Sequence, residues 1–470
     1  MNPKNASLPR RTFLGQIARS GAAAALTLPI STSLAASGKP GLEVGEGVVD
    51  TTPPLGIEMA GFHRPEGKER RITGIRKPAA ARALVLQMGD TRTAIVSLDI
   101  LGISKDMTAR VQSRVARKVG MSAKNVRVCA THTHSMPTFC FLRQWGALAP
   151  EYMASVESKI VQAVEMAQAD LAPAELTVGK AVAPGASNNR TVKEWKTEDQ
   201  FGEDSGDDQR WLDRTVHVLH FQRSKPKKNV LWYHFTAHPV CYRDDLAGPD
   251  WPGLVEDSIQ QKLDVRPSFL QGHCGDVNAG DAEHWIGTAE NTANPVTTAI
   301  CQAVDSAKTV RVDELRIDAS QCPLPLDLKR FNQWLTDYRD DPSKCSSGPW
   351  VDARFAKAWF EASSKRKTDT THTSVPLTAM KLGEVGLVFH PAELYTCYGL
   401  MIQRDSPFEN TLVVGYSDDI IGYLPDPKAY EAGEYSAITV PKILDLPPFT
   451  PTAARELATN ALSSLKKLVG

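Results

Sequence analysis

The chain alternates short runs of Val, Ile and Leu with longer segments in which apolar residues recur every three or four positions. Short apolar runs are typical of buried strands, whereas the longer spacing is typical of helices that bury one face. We predict a helix that begins at Ser104 and ends before Gly120, because four apolar residues between them are spaced by four, namely Met107, Val111, Val115 and Val119. A second helix is predicted from Glu151 to Ala169.

Nine apolar runs predict strands, and they lie at Thr93–Leu98, Val126–Ala130, Glu175–Ala181, Thr215–Phe221, Val230–Phe235, Ser268–Leu270, Val375–Leu382, Val385–Phe389 and Thr411–Val414. Strands that alternate with helices indicate a mixed α/β fold in which layered sheets are flanked by helices. No linker or charge run divides the chain from residue 36 onward, so we expect residues 36–470 to form a single large domain. The proline-rich and serine-rich stretch 321–351 predicts a surface insertion.

Polar residues with catalytic side chains follow five of these strands. They are Asp99, the pair His132 and His134, His238, the segment 271–278, and Glu393. Layered α/β folds gather ligand sites from the ends of strands that are distant in sequence. We therefore expect these residues to converge on one site.

The amino terminus has the order of an export signal. Arg10 and Arg11 precede a mildly apolar run from Gly21 to Leu28, and small residues follow that run. This order is typical of a twin-arginine signal peptide, and an ordinary amino-terminal tail is the alternative. We expect residues 1–35 to engage the Tat export machinery and the rest of the chain to be periplasmic or secreted. No other stretch approaches the roughly 20 consecutive apolar residues of a membrane span.

The net charge argues against a nucleic-acid partner, and the cysteine spacing argues against a structural zinc ribbon. The full chain carries 54 basic and 54 acidic residues, and removal of residues 1–35 takes away four basic residues and no acidic one. The mildly acidic remainder argues against a nucleic-acid partner. The eight cysteines include no CxxC pair, which argues against a structural zinc ribbon and leaves their pairing open.

The segment Thr131-His132-Thr133-His134-Ser135 is the sharpest local signal. In an extended segment, two histidines separated by one residue point to the same face of the chain. One of them suffices to bind a catalytic zinc ion, and the other can contact substrate or carry a proton. From these residues alone, a structural role for the pair stays open. His372, which lies in a polar run, is expected to be a solvated loop histidine.

Three further segments carry residue types whose roles the residues alone leave undecided. His238 ends an apolar strand before a proline, which suits a rigid ligand position. Glu393 follows a proline that breaks an apolar strand, and it is either a helix amino-terminal charge or an inward ligand. The glycine-rich segment 271–278 either offers backbone amides to a ligand or forms a tight loop. Tyr423 and Tyr435 lie in Pro/Gly-rich loops, where tyrosine usually packs on the surface.

Taken in order, these motifs resemble the neutral/alkaline, non-lysosomal ceramidase family. The similarity runs from about residue 50 to residue 436, and it is carried by Met59-Ala60-Gly61-Phe62, the Thr-His-Thr-His-Ser segment, Asn189-Arg190, the His238 segment, Gly275-Asp276-Val277, the Glu393 segment and the tyrosine loop. Several separated motifs in one order are more specific than any single motif. Because the chain ends at Gly470, we expect the amino-terminal catalytic domain of that family without its immunoglobulin-like carboxy-terminal domain.

The resemblance implies a zinc ion bound by four residues. Matched to the family's motifs, the ligands are His132, His238, Glu393 and Tyr423. A catalytic zinc ion lowers the pKa of a bound water to about 7, far below that of bulk water, which permits attack on an amide carbonyl at neutral pH. The resemblance therefore implies a zinc-dependent amidohydrolase.

The resemblance also implies roles for residues around the metal. The second active-site tyrosine of the family matches Tyr435, twelve residues beyond Tyr423. His134 and Arg190 match family residues that contact the substrate, and the metal, with His134, Tyr435 or Arg190, is expected to stabilise the oxyanion. His134 is the first candidate to protonate the leaving amine. Asp99 and Asp276 are expected to hold a histidine or the glycine-rich loop in place.

The chain departs from the family pattern in the loop after Gly275. The family has a serine in its Gly-Asp-x-Ser-Pro loop, and Asn278 followed by Ala279 stands here instead. Any role that needs the serine hydroxyl is therefore absent, and Asn278 is expected to contact the substrate. The metal site is better preserved in this comparison than the substrate site.

The first functional hypothesis is hydrolysis of the N-acyl amide bond of ceramide or a related lipid amide. Such a substrate needs an apolar groove, and one wall is expected from residues behind the histidine pair, namely Met136, Phe139, Phe141, Leu142 and Trp145. Ordinary core packing is the alternative for these residues. A lipid substrate also predicts transient contact with a membrane surface.

Two alternatives stay open. Asn278 and the loop around Trp285 can shape a polar pocket for a carbohydrate or peptide-like amide or ester, with the same zinc chemistry. The chain can also be an exported, non-catalytic metal-binding protein, since a fold does not by itself imply turnover.

Overall fold

Strands and helices follow one another from Glu43 to Lys467 in the computed structural model, which describes residues 41–281, 286–345, 352–366 and 370–470. The strands, in chain order, are β1 (Glu43–Asp50), β2 (Gly74–Ile75), β3 (Ala80–Met88), β4 (Thr91–Leu98), β5 (Val126–Ala130), β6 (Ala172–Val182), β7 (Ser187–Asn189), β8 (Lys196–Thr197), β9 (Trp211–Leu212), β10 (Thr215–Arg223), β11 (Val230–Phe235), β12 (Leu246–Ala247), β13 (Pro267–Gln271), β14 (Val277–Ala279), β15 (Lys308–Thr309), β16 (Leu315–Pro325), β17 (His372–Leu382), β18 (Val385–Phe389), β19 (Glu393–Leu394), β20 (Asn410–Val414) and β21 (Tyr423–Leu424). The helices are α1 (Lys105–Val119), α2 (Pro150–Ala169), α3 (Trp251–Leu263), α4 (Ala289–Asp305), α5 (Leu328–Asp340), α6 (Ala353–Ser363), α7 (Thr396–Asp405), α8 (Pro427–Glu431), α9 (Tyr435–Ile438), α10 (Val440–Ile443) and α11 (Ala453–Lys467). The expected signal segment, residues 1–35, and Trp285 lie outside the described residues.

Two sheets form the centre of the fold. The larger sheet has the order β13-β11-β10-β6-β1-β3-β4-β5, and β15 also pairs with β6. Two of its pairs are parallel, β4 with β5 and β11 with β13. The smaller sheet has the order β16-β17-β18-β20, in which β18 and β20 are parallel. Because parallel neighbours end at the same edge of a sheet, the segments that follow these strands leave the sheets close together.

The two sheets pack face to face, and helices cover both outer faces. Leu86, Phe221 and Trp232 of the larger sheet share one core with Leu387 and Leu412 of the smaller sheet. The helices α1, α2, α3 and α4 pack on the opposite face of the larger sheet. The helices α7 and α11 cover the outer face of the smaller sheet. This order of helix, sheet, sheet and helix confirms the predicted α/β fold of layered sheets with flanking helices.

The helix predicted after Ser104 is confirmed as α1. The Ser104 hydroxyl accepts a hydrogen bond from Met107 N at the start of the helix, as a capping serine does. Gly120 ends the helix with a φ of 68°, a left-handed conformation that glycine adopts without steric cost. Met107, Val111 and Val115 form the buried stripe of this helix.

The stretch 321–351, predicted to be a surface insertion, consists largely of regular elements in its described part. Strand β16 continues to Pro325, and α5 follows directly. Asp327 caps α5 by accepting a hydrogen bond from Arg330 N. Phe331 and Trp334 then pack α5 against the core beneath the smaller sheet. The prolines therefore mark the boundaries of regular elements, where proline is tolerated, instead of a region without them.

Seven cysteines of the described chain are free thiols, namely Cys129, Cys140, Cys241, Cys274, Cys301, Cys322 and Cys397. Among the helices of the same part of the chain, none has the length and the apolar character of a membrane span.

A pair of buried histidines connects the two sheets. His217 and His234 face each other across β10 and β11, with ring centroids 5.7 Å apart. His234 Nε2 donates a hydrogen bond to the carbonyl of Val413 on β20 at 2.9 Å. Burial lowers the pKa of His217 to about 4 and that of His234 to about 3. Both imidazoles are therefore neutral in the folded protein at physiological pH.

This buried pair predicts a loss of stability in acid. Unfolded histidine titrates near pH 6.5, so the unfolded chain binds protons between pH 6.5 and about 4 that the folded chain excludes. Each histidine is expected to lower the free energy of unfolding by about 1.4 kcal/mol per pH unit in that range. Urea denaturation at pH 7.5, 6.0 and 5.0 measures the slope. The variant His234→Gln is expected to be less stable at pH 7.5 but to have a shallower slope, and an unchanged slope would contradict the assignment.

Candidate metal centre

Three histidine side chains converge at the ends of the larger sheet. His132 and His134 follow β5, and His238 follows β11. One ring nitrogen of each lies within 4.8 Å of the others. His132 Nε2 and His134 Nε2 are 3.4 Å apart. Strands that are about 100 residues apart in sequence therefore bring these imidazoles to one point, as the strand-end pattern predicts.

Glu393 brings a carboxylate to the same point from the smaller sheet. Its Oε2 lies 3.4 Å from His132 Nε2 and 3.5 Å from His238 Nε2. Ligand atoms that lie about 2.0 to 2.1 Å from a tetrahedral zinc ion are about 3.3 to 3.4 Å from one another. The distances from Glu393 Oε2 to the two imidazoles therefore suit a shared zinc ion. Glu393 is an inward residue and not an exposed helix-terminal charge.

Two of these atoms are buried without a hydrogen-bond partner. His238 Nε2 and Glu393 Oε2 are both inaccessible to solvent, and neither takes part in a hydrogen bond. Most buried polar atoms in proteins are hydrogen-bonded, and a buried charge is usually paired or coordinates a metal. Imidazole nitrogen and carboxylate oxygen are common zinc ligands. The donor set therefore fits a divalent metal ion.

Backbone carbonyls orient the two imidazoles. His132 Nδ1 donates a hydrogen bond to Leu101 O, and His238 Nδ1 donates one to Val277 O, each at 2.8 Å. A proton held on Nδ1 leaves the lone pair of Nε2 directed at the centre, which is the tautomer that a metal needs. Neither carbonyl has a signal in the sequence, because any residue type supplies one.

The backbone at His132 is not extended, which corrects the expected geometry of the histidine pair. His132 has a φ of 64°, a left-handed conformation that is uncommon outside glycine. The His132 ring stacks on Tyr416, with centroids 4.2 Å apart and planes 27° apart. The Tyr416 hydroxyl lies 3.0 Å from Cys274 Sγ. Tyr416 was not a candidate from sequence, because its contact with His132 is formed only in three dimensions.

Arg190 connects the expected fourth ligand, Tyr423, to the glycine-rich loop. Tyr423 pairs with Glu393 through β19 and β21, so the two side chains belong to one short ladder. Arg190 Nη2 donates to the Tyr423 hydroxyl and to Gly275 O, each at 2.6 Å. The Tyr435 ring lies 6.1 Å from the Tyr423 ring, centroid to centroid. The structure thus places both tyrosines of the predicted loop beside Arg190 and Glu393.

Burial and charge set the protonation of the centre. Burial alone raises the pKa of Glu393, but the imidazoles of His132 and His238 hold that pKa well below its usual range. Burial, and then the charge of Arg190, lowers the pKa of His238 to about 4. Burial, and then the two neighbouring histidines, hold the pKa of His134 well below its usual range. At neutral pH the carboxylate is ionised and His134 and His238 are neutral, which are the forms that bind metal.

The two aspartates expected to support the site lie in different places. Asp276 accepts hydrogen bonds from Asn189 Nδ2 and from the backbone and hydroxyl of Thr396, so it does hold the glycine-rich loop. Asp99 accepts hydrogen bonds from Ala80 N and Arg82 Nη1. These contacts of Asp99 connect two strands of the larger sheet and do not orient a histidine.

A cavity of about 740 Å³ lies beside the centre. Its lining includes His134, Arg190, Asn278, Tyr423 and Tyr435. Arg190 Nη1 lies 3.4 Å from Asn278 Oδ1, so the residue that replaces the family serine faces the same space as the arginine. The structure therefore brings the expected catalytic residues and Asn278 to one cavity.

The five residues expected to form an apolar wall are divided between cavity and core. Trp145 lines the cavity of about 740 Å³, and Phe141 and Leu142 line a neighbouring cavity of about 470 Å³. Met136 and Phe139 are buried in the core beneath α1 and α2. His372, expected in a loop, is exposed as predicted but lies in β17.

Comparison with known proteins supports the resemblance to the ceramidase family that the sequence motifs indicate. The family model described as "Neutral/alkaline non-lysosomal ceramidase, N-terminal" matches residues 42–312. A neutral ceramidase of Mycobacterium tuberculosis is 30% identical over 162 residues, which are 32% of this chain and 25% of that protein. A neutral ceramidase of Pseudomonas aeruginosa is 26% identical over 227 residues, which are 45% of this chain and 33% of that protein. The matched segments thus span a quarter to a third of these relatives.

Solved structures extend the likeness in fold over most of the chain. The crystal structure of the neutral ceramidase from Pseudomonas aeruginosa covers 92% of this chain, with 75% of its own chain matched, at a TM-score of 0.69 and 18% identity. A structure of a ceramidase complexed with C2 gives a TM-score of 0.70 with the same coverage and identity. At this identity the structures show a shared fold. Because the family model matches more than half of the 470 residues, the chain belongs to the neutral/alkaline non-lysosomal ceramidase family.

Proposed function

We propose that the protein is an exported, zinc-dependent hydrolase that cleaves the N-acyl amide bond of ceramide or a related lipid amide. The observation that carries the proposal is that Glu393 Oε2 lies 3.4 Å and 3.5 Å from the Nε2 atoms of His132 and His238. These distances suit zinc, and the three residues lie beside a cavity in a chain of the ceramidase family. Tyr423, which pairs with Glu393, is proposed as the fourth ligand.

His134 is proposed to carry protons and not to bind the metal. His132 and His238 each have Nδ1 bound to a backbone carbonyl, which fixes their tautomers. His134 Nδ1 is buried without a hydrogen-bond partner, so its tautomer is not fixed in this way. Gly61, with a φ of 95°, leaves the space that the His134 ring occupies, since a Cβ there would lie 2.4 Å from Nδ1. An imidazole that can exchange tautomers suits proton transfer.

The residues around the cavity have separate roles in the proposed amide hydrolysis. When bound, zinc supplies a Lewis acid and lowers the pKa of water to about 7. His134, which burial keeps neutral, accepts the proton released as water adds to the carbonyl and delivers it to the leaving amine nitrogen. Arg190 and Tyr435 stabilise the negative charge that develops on the carbonyl oxygen. Asp276 keeps the loop that contacts Arg190 in position.

A second candidate substrate is a carbohydrate or peptide-like amide or ester. It is favoured by Asn278, whose side chain approaches Arg190 in the cavity where the family pattern has a serine. The aromatic lining contributed by Phe62, Trp145 and Tyr395 favours the lipid amide instead, because a long acyl chain gains free energy from apolar contact. A chain that binds zinc without turnover is the remaining alternative.

Substitution of a proposed ligand is expected to weaken zinc binding without unfolding the protein. In Glu393→Gln the carboxylate loses its charge, and in His132→Ala one ligand is removed, so each purified variant should retain less zinc after dialysis. Circular dichroism should change little, since catalytic metals contribute less to folding than structural ones. The matched control is His372→Ala, an exposed histidine that should leave zinc content unchanged. Full zinc occupancy in both ligand variants would show that the ligands are wrong.

The proposed activity predicts release of fatty acid from N-acyl sphingoid bases. Removal of the metal with a chelator should abolish the release, and addition of zinc should restore it, because the metal supplies the Lewis acid. Product analysis by mass spectrometry measures the reaction. Turnover of a sugar amide or a small ester without release from any N-acyl lipid would favour the second candidate, and tight zinc retention without any hydrolysis would favour the non-catalytic protein.

We also propose that residues 1–35 are a twin-arginine signal, that residues 36–470 form the catalytic domain, and that the mature protein is periplasmic or secreted. The arginine pair and the apolar run after it support this proposal. Conversion of Arg10 and Arg11 to lysine should keep the chain in the cytoplasm, because the Tat export machinery recognises the arginine pair. The substitution Arg19→Lys lies outside the pair and should not affect export. Cell fractionation measures the distribution, and normal export of the double variant would refute the proposal.

A further inference from the structure

One wall of the cavity carries a hydrogen-bond network that has no part in the metal centre. Tyr395, Glu434 and Ser436 all line this wall. The Tyr395 hydroxyl lies 2.9 Å from Glu434 Oε2 and 2.7 Å from Ser436 Oγ. Glu434 and Ser436 flank Tyr435, which is proposed to contact the reacting carbonyl. The network therefore lies close to the site of the proposed reaction.

The direction of each hydrogen bond in this network follows from Glu434. Arg210 Nη2 contacts Glu434 Oε1 at 2.6 Å, so the Glu434 side chain is an ionised carboxylate and accepts hydrogen bonds only. Tyr395 therefore donates its single hydroxyl proton to Glu434. Because that proton is used, Ser436 must donate its own proton to the Tyr395 oxygen. The Ser436 oxygen is left with lone pairs and no proton to offer to a ligand.

Arg210 neutralises the Glu434 carboxylate of this wall only in part. Arg210 Nη1 also contacts Asp426 Oδ2 at 3.0 Å, so one guanidinium is shared by two carboxylates. The Glu434 side chain is 23% exposed and keeps acceptor capacity beyond the bonds from Arg210 and Tyr395. Such a wall accepts hydrogen bonds from a ligand, and it repels an anionic group that approaches it.

We propose that Tyr395, Glu434 and Ser436 form a specificity subsite that accepts hydrogen bonds from a hydroxyl of the substrate and disfavours phosphorylated or carboxylated headgroups. The inference rests on the proposed amide hydrolysis. A fatty acyl chain has no hydrogen-bond donor along its length, so the donor belongs to the amine half of the substrate. Arg64 and Arg243 line the cavity as well, and preference for an anionic headgroup is therefore the outcome that opposes this proposal.

Three N-acyl amides that share the same acyl chain test the subsite on the zinc-loaded protein. The first is the amide of a hydroxylated amine, the second is the analogous amide without hydroxyls, and the third is the phosphate ester of the first. The wild-type kcat/KM should be highest for the hydroxylated amide. In Ser436→Ala the ratio of kcat/KM for the hydroxylated amide to that for the analogue without hydroxyls should fall about fivefold to tenfold, the effect of one lost hydrogen bond. Ser436→Thr, which keeps the hydroxyl, should keep the ratio.

Glu434→Gln provides the test of the charge. In this variant the ratio of kcat/KM for the phosphate ester to kcat/KM for the hydroxylated amide should rise at least tenfold. The reason is that the neutral glutamine side chain replaces a charged carboxylate acceptor. The control Ser158→Ala changes an exposed serine on α2 and should leave all three substrates unaffected. An equal loss on every substrate in Ser436→Ala, or a wild-type preference for the phosphate ester, would overturn the subsite.

Calorimetric binding of the free amines separates this inference from the proposed function. The hydroxylated amine should bind the wild-type protein more tightly than the amine without hydroxyls, and Ser436→Ala should remove the difference. Equal binding of the two amines overturns the subsite, whether or not any amide is hydrolysed. The absence of hydrolysis with all three amides, together with selective amine binding, instead contradicts the proposed function and supports the subsite.

Discussion

A carboxylate buried between two imidazole nitrogens is the interaction on which the rest of the structure depends. Glu393 Oε2 lies 3.4 Å and 3.5 Å from the Nε2 atoms of His132 and His238, and it has no hydrogen-bond partner. An ionised group in such a position is costly unless a cation neutralises it. The histidines follow strands of the larger sheet, whereas Glu393 follows β18 of the smaller sheet. The centre therefore exists only when the two sheets are packed correctly on each other.

Hydrogen bonds between the sheets hold the ligand segments in register. Ala130 N, just before the histidine pair, donates to Tyr416 O, and Gly415 N donates to Gln271 O. His234 on β11 donates to Val413 O on β20, so these two strands are also joined through a side chain. Each bond connects a segment that leads to the metal centre with one from the opposite sheet. Preorganisation of the proposed ligands is thus a property of the layered fold and not of any single loop.

Local periodicity was sufficient to predict much of the fold from sequence. The helix after Ser104 and the strands Val126–Ala130 and Val385–Phe389 have the predicted bounds, because their hydrophobic patterns and turn residues act over a few positions. The convergence of His132, His238 and Glu393 was also predictable, since strand ends meet at shared edges. The stacking of Tyr416 on His132 was not predictable, because that contact joins residues 284 positions apart without a motif. The polar wall of Tyr395, Glu434 and Ser436 was not predictable either, because its hydrogen bonds join residues about 40 positions apart without a motif.

Anomalous scattering at the zinc edge, from crystals of the zinc-loaded protein, tests the central claim most directly. The account predicts one dominant peak about 2.0 to 2.2 Å from His132 Nε2, His238 Nε2 and Glu393 Oε2, with the Tyr423 hydroxyl as the fourth protein ligand. A peak shared by His132, His134 and His238 that leaves Glu393 beyond coordinating distance would contradict the account, as would a dominant peak elsewhere in the protein.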